Sequence, residues 1–147
     1  MGVVLDTTVF IDFEKLILKN KSSSNFEELA SNLSRYIELS ESVGIASITV
    51  SELLLGVHRS VSKYKLKREA FVEAIIRIMP VIPFDLGASR IYSRIWMDLI
   101  KNGQDIGTHD RMIASTALNL GWSVGTANLK HFSRIKNLDV IEIVFPS

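Results

Sequence analysis

Short continuous apolar runs alternate along this chain with segments whose apolar residues recur every three to four positions, and this alternation constrains the fold most. The first pattern is a buried strand and the second is one face of a helix. Strand and helix in turn specify parallel strands joined by crossover helices, with helices on both faces of the sheet. Strands are expected at residues 2–6, near 44–47, and at 81–84, 122–126 and 140–144. The third belongs at an edge, because Pro83 cannot donate to a ladder. Ser24-Asn25-Phe26-Glu27 has the form of a capping box, followed by Phe26, Leu29, Ala30, Leu33 and Ile37 at helical spacing. Val50, Leu53, Leu54 and Val57 make a second stripe, and Phe71, Ala74, Ile75 and Ile78 a third that stops before Pro80. Asp85 is placed to cap a helix with Ala88, Ile91, Tyr92, Ile95 and Leu99 on its inner face, ended by Lys101-Asn102-Gly103. A further helix contains Asp110 and stops at Gly121, while Lys19 to Ser24 reads as a loop. The expectation is one α/β domain over residues 1–147, an α/β/α sandwich with a mainly parallel sheet of about four to five strands.

At 147 residues, 47% of them apolar, the chain is long enough to bury a substantial core. The absence of cysteine excludes disulfides, zinc–thiolate sites and cysteine nucleophiles. No apolar stretch reaches the roughly 18 residues of a membrane span. Asp6 and Asp12 interrupt the first apolar segment and no basic leader precedes it, so a cytoplasmic location is expected. A net charge of +1 gives no global attraction to nucleic acid. Lys63, Lys65, Lys67 and Arg68, and later Lys130, Arg134 and Lys136, form local basic clusters that solvated helix faces explain more readily than phosphate contacts.

Asp6 closes the run Val3-Val4-Leu5, at the carboxyl end of a buried strand, where open α/β sheets bind their ligands. Capping the next helix is its structural alternative. Glu52 has a stronger alternative, since Thr49-Val50-Ser51-Glu52 matches a capping box. It falls off the apolar stripe, however, with Gly56 four residues on clearing space beside it. Asp110 heads the stripe Ile113, Ala114 and Ala117. A helix dipole contributes about 0.3–1 kcal/mol to a first-turn acid, enough for an exposed aspartate but not for a buried one. Three carboxylates at one sheet edge repel one another unless a divalent cation lies between them, which predicts a metal-dependent hydrolase. Asp105 is a weaker candidate, and Asp98, Asp85, Asp12 and Glu14 fit solvated faces or caps. His58, His109 and His131 lack zinc spacing, leaving His109 and His131 as substrate contacts at most.

With these residues in order, the chain resembles PIN-domain proteins, and among them the VapC-type ribonuclease toxins of toxin–antitoxin pairs. The resemblance rests on Leu5-Asp6-Thr7-Thr8-Val9, on Ser47 to Leu53 around Glu52, on Ile106 to Ser115 around Asp110, and on Gly125-Thr126-Ala127-Asn128-Leu129-Lys130-His131-Phe132. It implies a Mg²⁺-dependent endoribonuclease, with Mn²⁺ as a substitute, that leaves a 5′-phosphate and a 3′-hydroxyl. Asp6, Glu52 and Asp110 would be its catalytic and metal-holding acids. Thr7, Thr126, Asn128, Lys130, His131 and Arg111 would stand around them. The family also implies an RNA substrate, an antitoxin partner and a homodimer. Thr8 replaces the usual asparagine, Asn128 the frequent aspartate, His131 a frequent acid, and Arg111 a frequent apolar residue. The loss of charge at Asn128 weakens any second metal position, and Arg111 is placed to offset site charge or meet a phosphate. A non-catalytic PIN-like scaffold for RNA or protein is the alternative. A haloacid-dehalogenase-type phosphatase lacks its second aspartate, because Thr8 stands there, and no helix–turn–helix is evident for a DNA-binding role.

Overall fold

Val3, Val4 and Leu5 leave almost no surface to water, and a strand buried on both faces belongs in the middle of a sheet covered on either side by helices. The computed structural model, which describes residues 1–20, 26–38 and 40–146, places them there. Strands β1 (Gly2–Leu5), β2 (Ser42–Ala46), β3 (Val81–Ile82), β4 (Ser123–Thr126) and β5 (Val140–Glu142) form one sheet in the order β3-β2-β1-β4-β5. Every pairing is parallel. The helices are α1 (Thr7–Asn20), α2 (Phe26–Leu33), α3 (Ser47–Arg59), α4 (Ser62–Ile78), α5 (Leu86–Lys101), α6 (Thr108–Leu120) and α7 (Leu129–Phe132).

Alternation along β1 sorts these helices into two layers. Val3 and Leu5 join a core with Phe10, Phe13, Leu29, Leu53 and Ile75, contributed by α1 to α4. Val4 faces the other way, onto Ile95, Leu99, Ile113, Ala117 and Phe132 of α5, α6 and α7. The three-layer sandwich is therefore the one expected.

From β1 the chain builds outward through β2 and β3, then returns across the sheet to β4 and β5. The order reverses between β1 and β4, which opens a crevice at their carboxyl ends. The two strands meet closely there, Leu5 lying opposite Gly125. A Cβ on Gly125 would stand 2.8 Å from Ile143 Cδ1 and 3.0 Å from Leu5 Cδ2, so any larger residue requires those side-chain ends to shift.

Several local expectations are corrected. Helix α3 starts at Ser47 directly after β2, with Ala46 at the N-cap and no side-chain cap. Thr49 is thus inside the helix and fully buried, and the Thr49–Glu52 capping box does not form. A long-range contact of Thr49, described below, overrides that local motif. Helix α4 begins at Ser62, well before Phe71, because its first turns project past the core and carry no apolar stripe. Its lysine-rich composition is nonetheless helix-forming. Strand β3 stops at Ile82 before Pro83, at the sheet edge as expected, and β5 stops at Glu142. Asp85 does cap α5, accepting from the Ala88 N–H at 2.9 Å. The short helix α7 was not anticipated. Lys19 and Asn20 belong to α1, and the rest of the expected loop, with Ser24 and Asn25 of the capping box, lies outside the described residues.

Candidate active site

Asp6 follows the last residue of β1 and is only 2% exposed. Its backbone N–H donates to the Gly125 carbonyl at 2.7 Å, which fixes it at the mouth of the β1–β4 crevice. Its Oδ2 accepts two hydroxyl hydrogen bonds, from Thr8 at 2.6 Å and from Thr126 at 2.8 Å. Both hydroxyls are aimed by the backbone after β4: the Ala127 N–H donates to Thr8 Oγ1 at 3.1 Å and the Asn128 N–H to Thr126 Oγ1 at 2.8 Å. Even so, burial pushes the Asp6 carboxyl above its ordinary 3.8, and the negative charge of Asp110 adds to the rise. The Thr8 and Thr126 hydrogen bonds oppose this without cancelling it. Asp110, in the first turn of α6, stands close enough for its charge to act across this space on Asp6.

Glu52 reaches that space from α3. The Thr7 hydroxyl donates to its Oε1 at 2.7 Å and stands 3.0 Å from the Thr49 hydroxyl. Glu52 Oε2 lies 3.4 Å from His109 Nδ1, and Asp110 Oδ2 lies 2.9 Å from His131 Nδ1. Three acids from three elements are thus linked through their chain neighbours, Thr7 beside Asp6 and His109 beside Asp110. Glu52 and Asp110 are half-buried, their side chains 29% and 24% exposed. Asp110 is accordingly more open than an acid heading a buried stripe was expected to be. A shallow cleft of about 300 Å³, lined by Ile106 to Asp110, opens beside it.

The PIN-domain family model matches residues 3–138. The chain belongs to the PIN-domain family. It is 33% identical over 144 residues to ribonuclease VapC1 of Rickettsia felis, covering 97% of both chains. It is 31% identical over 137 residues to the tRNA(fMet)-specific endonuclease VapC of Salmonella typhimurium, covering 93% of this chain and 94% of that one. The solved structure of DNA-bound VapBC from Salmonella typhimurium superposes with a TM-score of 0.76 at 30% identity, over 98% of this chain and 99% of that one.

Other residues expected around a PIN site take varied places. Thr7 and Thr126 join the acid cluster, as do Thr8 and Thr49, whose parts were missed. A hydroxyl two residues after the strand-ending acid was the available signal for Thr8, whereas Thr49 was hidden by its apparent capping role. His131 sits against Asp110, carried by α7 and anchored by buried Phe132. Asn128 is half-buried at the start of α7, and its side chain makes no hydrogen bond among the described residues. Lys130 is exposed beside it. Arg111 is not turned to the acids. Only 4% exposed, it pairs with Asp105, donates to Tyr92 Oη and Thr108 Oγ1 at 3.2 Å each, and packs 4.8 Å from the Trp96 ring centroid. Asp105 is thereby taken up as its partner, and the guanidinium holds that carboxyl below the usual carboxylate range.

Among the described residues no three His, Asp or Glu side chains already stand as a closed metal cage. The donor set still fits a hard cation. It offers carboxylate oxygens on Asp6, Glu52 and Asp110 and an unengaged amide on Asn128, and Mg²⁺ needs only one or two carboxylates because it keeps most of its waters.

Proposed function

We propose that this chain is a Mg²⁺- or Mn²⁺-dependent endoribonuclease and the VapC-type toxin of a toxin–antitoxin pair, working in the cytoplasm. The observation that carries the reading is Asp6: a buried carboxylate at the sheet's switch point, raised in pKa by its own burial and by Asp110 across the crevice. A buried carboxylate that faces a second carboxylate is arranged for a cation. When bound, the cation polarises a phosphoryl oxygen and acidifies a water molecule. Asp6 and Asp110 hold it. Glu52, oriented by the Thr7 hydroxyl, positions the attacking water and takes its proton. Thr8 and Thr126 fix the Asp6 carboxylate in one rotamer, and Asn128 contributes a neutral oxygen at the rim. Lys130 meets the phosphate backbone, and because the attacking group is water no protein nucleophile is required. His131 orients Asp110 through Nδ1.

Relatives named as VapC ribonucleases and a structural neighbour solved as VapBC support an RNA substrate and an antitoxin partner. The name of the Salmonella relative makes transfer RNA the first substrate to try. A homodimer is proposed on family grounds alone. The test incubates purified protein with total RNA, with and without chelator, and sequences the new ends. Cleavage leaving 5′-phosphates should appear only with Mg²⁺ or Mn²⁺. Asp6→Asn and Asp110→Asn should lose it while remaining folded, and Glu52→Gln should fall by about 10²–10⁴-fold. Metal-dependent cleavage retained by Asp110→Asn removes the assignment.

A further inference from the structure

The tip of the α3–α4 hairpin carries four cations, Arg59, Lys63, Lys65 and Lys67, none with an acidic partner among the described residues. Residues 61–67 are all exposed, and apolar surface lies among the charges: Val61 is 65% exposed, Tyr64 45% and Leu66 81%. The next cation on α4 behaves differently, since Arg68 is tied to Glu14 at 2.6 Å and to Ser60 at 2.9 Å. An ordinary solvated helix face places glutamate beside lysine at i, i+4. Lys65 has Glu69 at that spacing, but Lys63 has Lys67, and the two repel each other, which opposes helix formation. The tip holds four of the chain's 17 Lys and Arg while the whole chain has a net charge of only +1, so the remainder is net negative. Neither the repulsion nor the exposed Leu66 is accounted for by folding.

We propose that this tip binds the phosphate backbone of a folded RNA whose scissile phosphodiester lies at the acid cluster. The proposal rests on the nuclease reading and adds where the substrate is held. Glu52 and Arg59 are on the same helix, two turns or about 10 Å apart, which spans about three base steps of one strand. A cleft of about 230 Å³ runs between α1, α3 and α4 from Glu52 past Gly56 to Arg68. A Cβ on Gly56 would meet nothing within 4 Å, so this path is open beside the acid. Three acids repel RNA, and Lys130 alone does not balance their charge, so further attraction has to come from elsewhere on the surface. Unpaired cations of one sign suit a partner with regularly spaced negative charge, as a nucleic-acid backbone has. The half-exposed ring of Tyr64, with Lys63 Nζ 5.4 Å from its centroid, adds a stacking face for an unpaired base. An RNA of two or three nucleotides spans at most two base steps and can occupy the acid site without reaching the tip. A folded one reaches both, so the tip selects for size and shape.

The test compares wild type with Lys63→Glu/Lys65→Glu/Lys67→Glu, and with Lys101→Glu at the end of α5 as a charge control. Bulk transfer RNA and an oligoribonucleotide of three nucleotides, too short to span the three base steps, are the probes. For transfer RNA, the triple variant should raise KM about tenfold or more at unchanged kcat. The slope of log affinity against log salt should fall by about two to three, the sum of three contacts worth roughly 0.7–0.9 each. Cleavage of the oligoribonucleotide and the behaviour of Lys101→Glu should match wild type. An unchanged KM, an equal loss on the oligoribonucleotide, or an equal effect of Lys101→Glu overturns the proposal. So does a triple variant that binds RNA normally but no longer holds a co-expressed antitoxin, which would assign the tip to protein contact. Binding is also measured on Asp6→Asn protein in chelator, with and without the three lysine changes. Tip-dependent binding without any wild-type cleavage sinks the nuclease reading alone. Cleavage with tip-independent binding sinks the tip alone.

Discussion

At Asp6 two demands oppose each other: a carboxylate has to be ionised to hold a cation, and burial resists that ionisation. Its folded pKa lies above the 3.8 of an ordinary aspartate, chiefly by desolvation. Between that reference and the raised value the folded chain binds more protons than the unfolded chain. Asp6 therefore adds stability as pH falls through this window and removes it as pH rises through the folded pKa. In chelator at neutral pH, Asp6→Asn should melt above wild type, and the gap should close by about pH 4. A saturating cation should reverse the order. At about 100 times its Kd it contributes about 2.7 kcal/mol, or about 5–11 °C, to wild type and nothing to the variant. Thermal melts at two pH values, with and without Mg²⁺, read all of this. An Asp6→Asn protein that melts below wild type in chelator contradicts the account of the buried charge.

The connection between α5 and α6 sets where Asp110 begins its helix. Gly107 precedes α6 with φ 99° and ψ 158°, a conformation essentially confined to glycine. Arg111, one residue after Asp110, reaches back to Asp105 in this connection and to Tyr92 and Trp96 on α5. The aromatic row Phe84, Tyr92 and Trp96 continues beneath it, with centroids 5.7 and 5.6 Å apart. Removing the guanidinium abolishes charged hydrogen bonds and a cation–π contact together. Arg111→Ala should cost about 2–3 kcal/mol, lowering Tm by about 4–12 °C. Arg111→Lys should recover little, lacking the planar fork. Both should weaken Mg²⁺ binding, measured by titration calorimetry, because the first turn of α6 loses its anchor. Unchanged melting in Arg111→Ala would show that the connection is held by its backbone alone.

Across the whole molecule, the site depends on β1 and β4 being neighbours. Leu5 packs against Gly125, and Thr126 delivers its hydroxyl to Asp6 over a separation of 120 residues. Gly125→Val would push into Ile143 and Leu5 at the middle of the sheet. Overpacking of this kind costs about 1–3 kcal/mol and moves Thr126 away from Asp6. Stability in urea and RNA cleavage should fall together in this variant, whereas they part company in Asp6→Asn. Full cleavage by a destabilised Gly125→Val protein would show that the β1–β4 spacing is not what aligns the acids.

Strand–helix alternation, the Asp85 cap, the edge position of β3 and the placing of Asp6 at a strand end were all readable along the chain. Each follows from burial period or from local hydrogen bonding within a few residues. The sheet order, and with it the crevice, was settled by long-range pairing. The same holds for Thr49, whose local motif promised a cap for Glu52 and whose hydroxyl instead faces Thr7 across 42 residues. Arg111 looked free to meet a phosphate until Asp105 and the α5 aromatics claimed it. The lysine-rich start of α4 gave no stripe, because a helix projecting past the core has no buried face to mark it. A sequence fixes which side chains have to leave water, since that cost is carried by each residue where it stands. Which partners then satisfy a buried carboxylate or guanidinium depends on what packing brings within about 3 Å, and only the folded chain decides that.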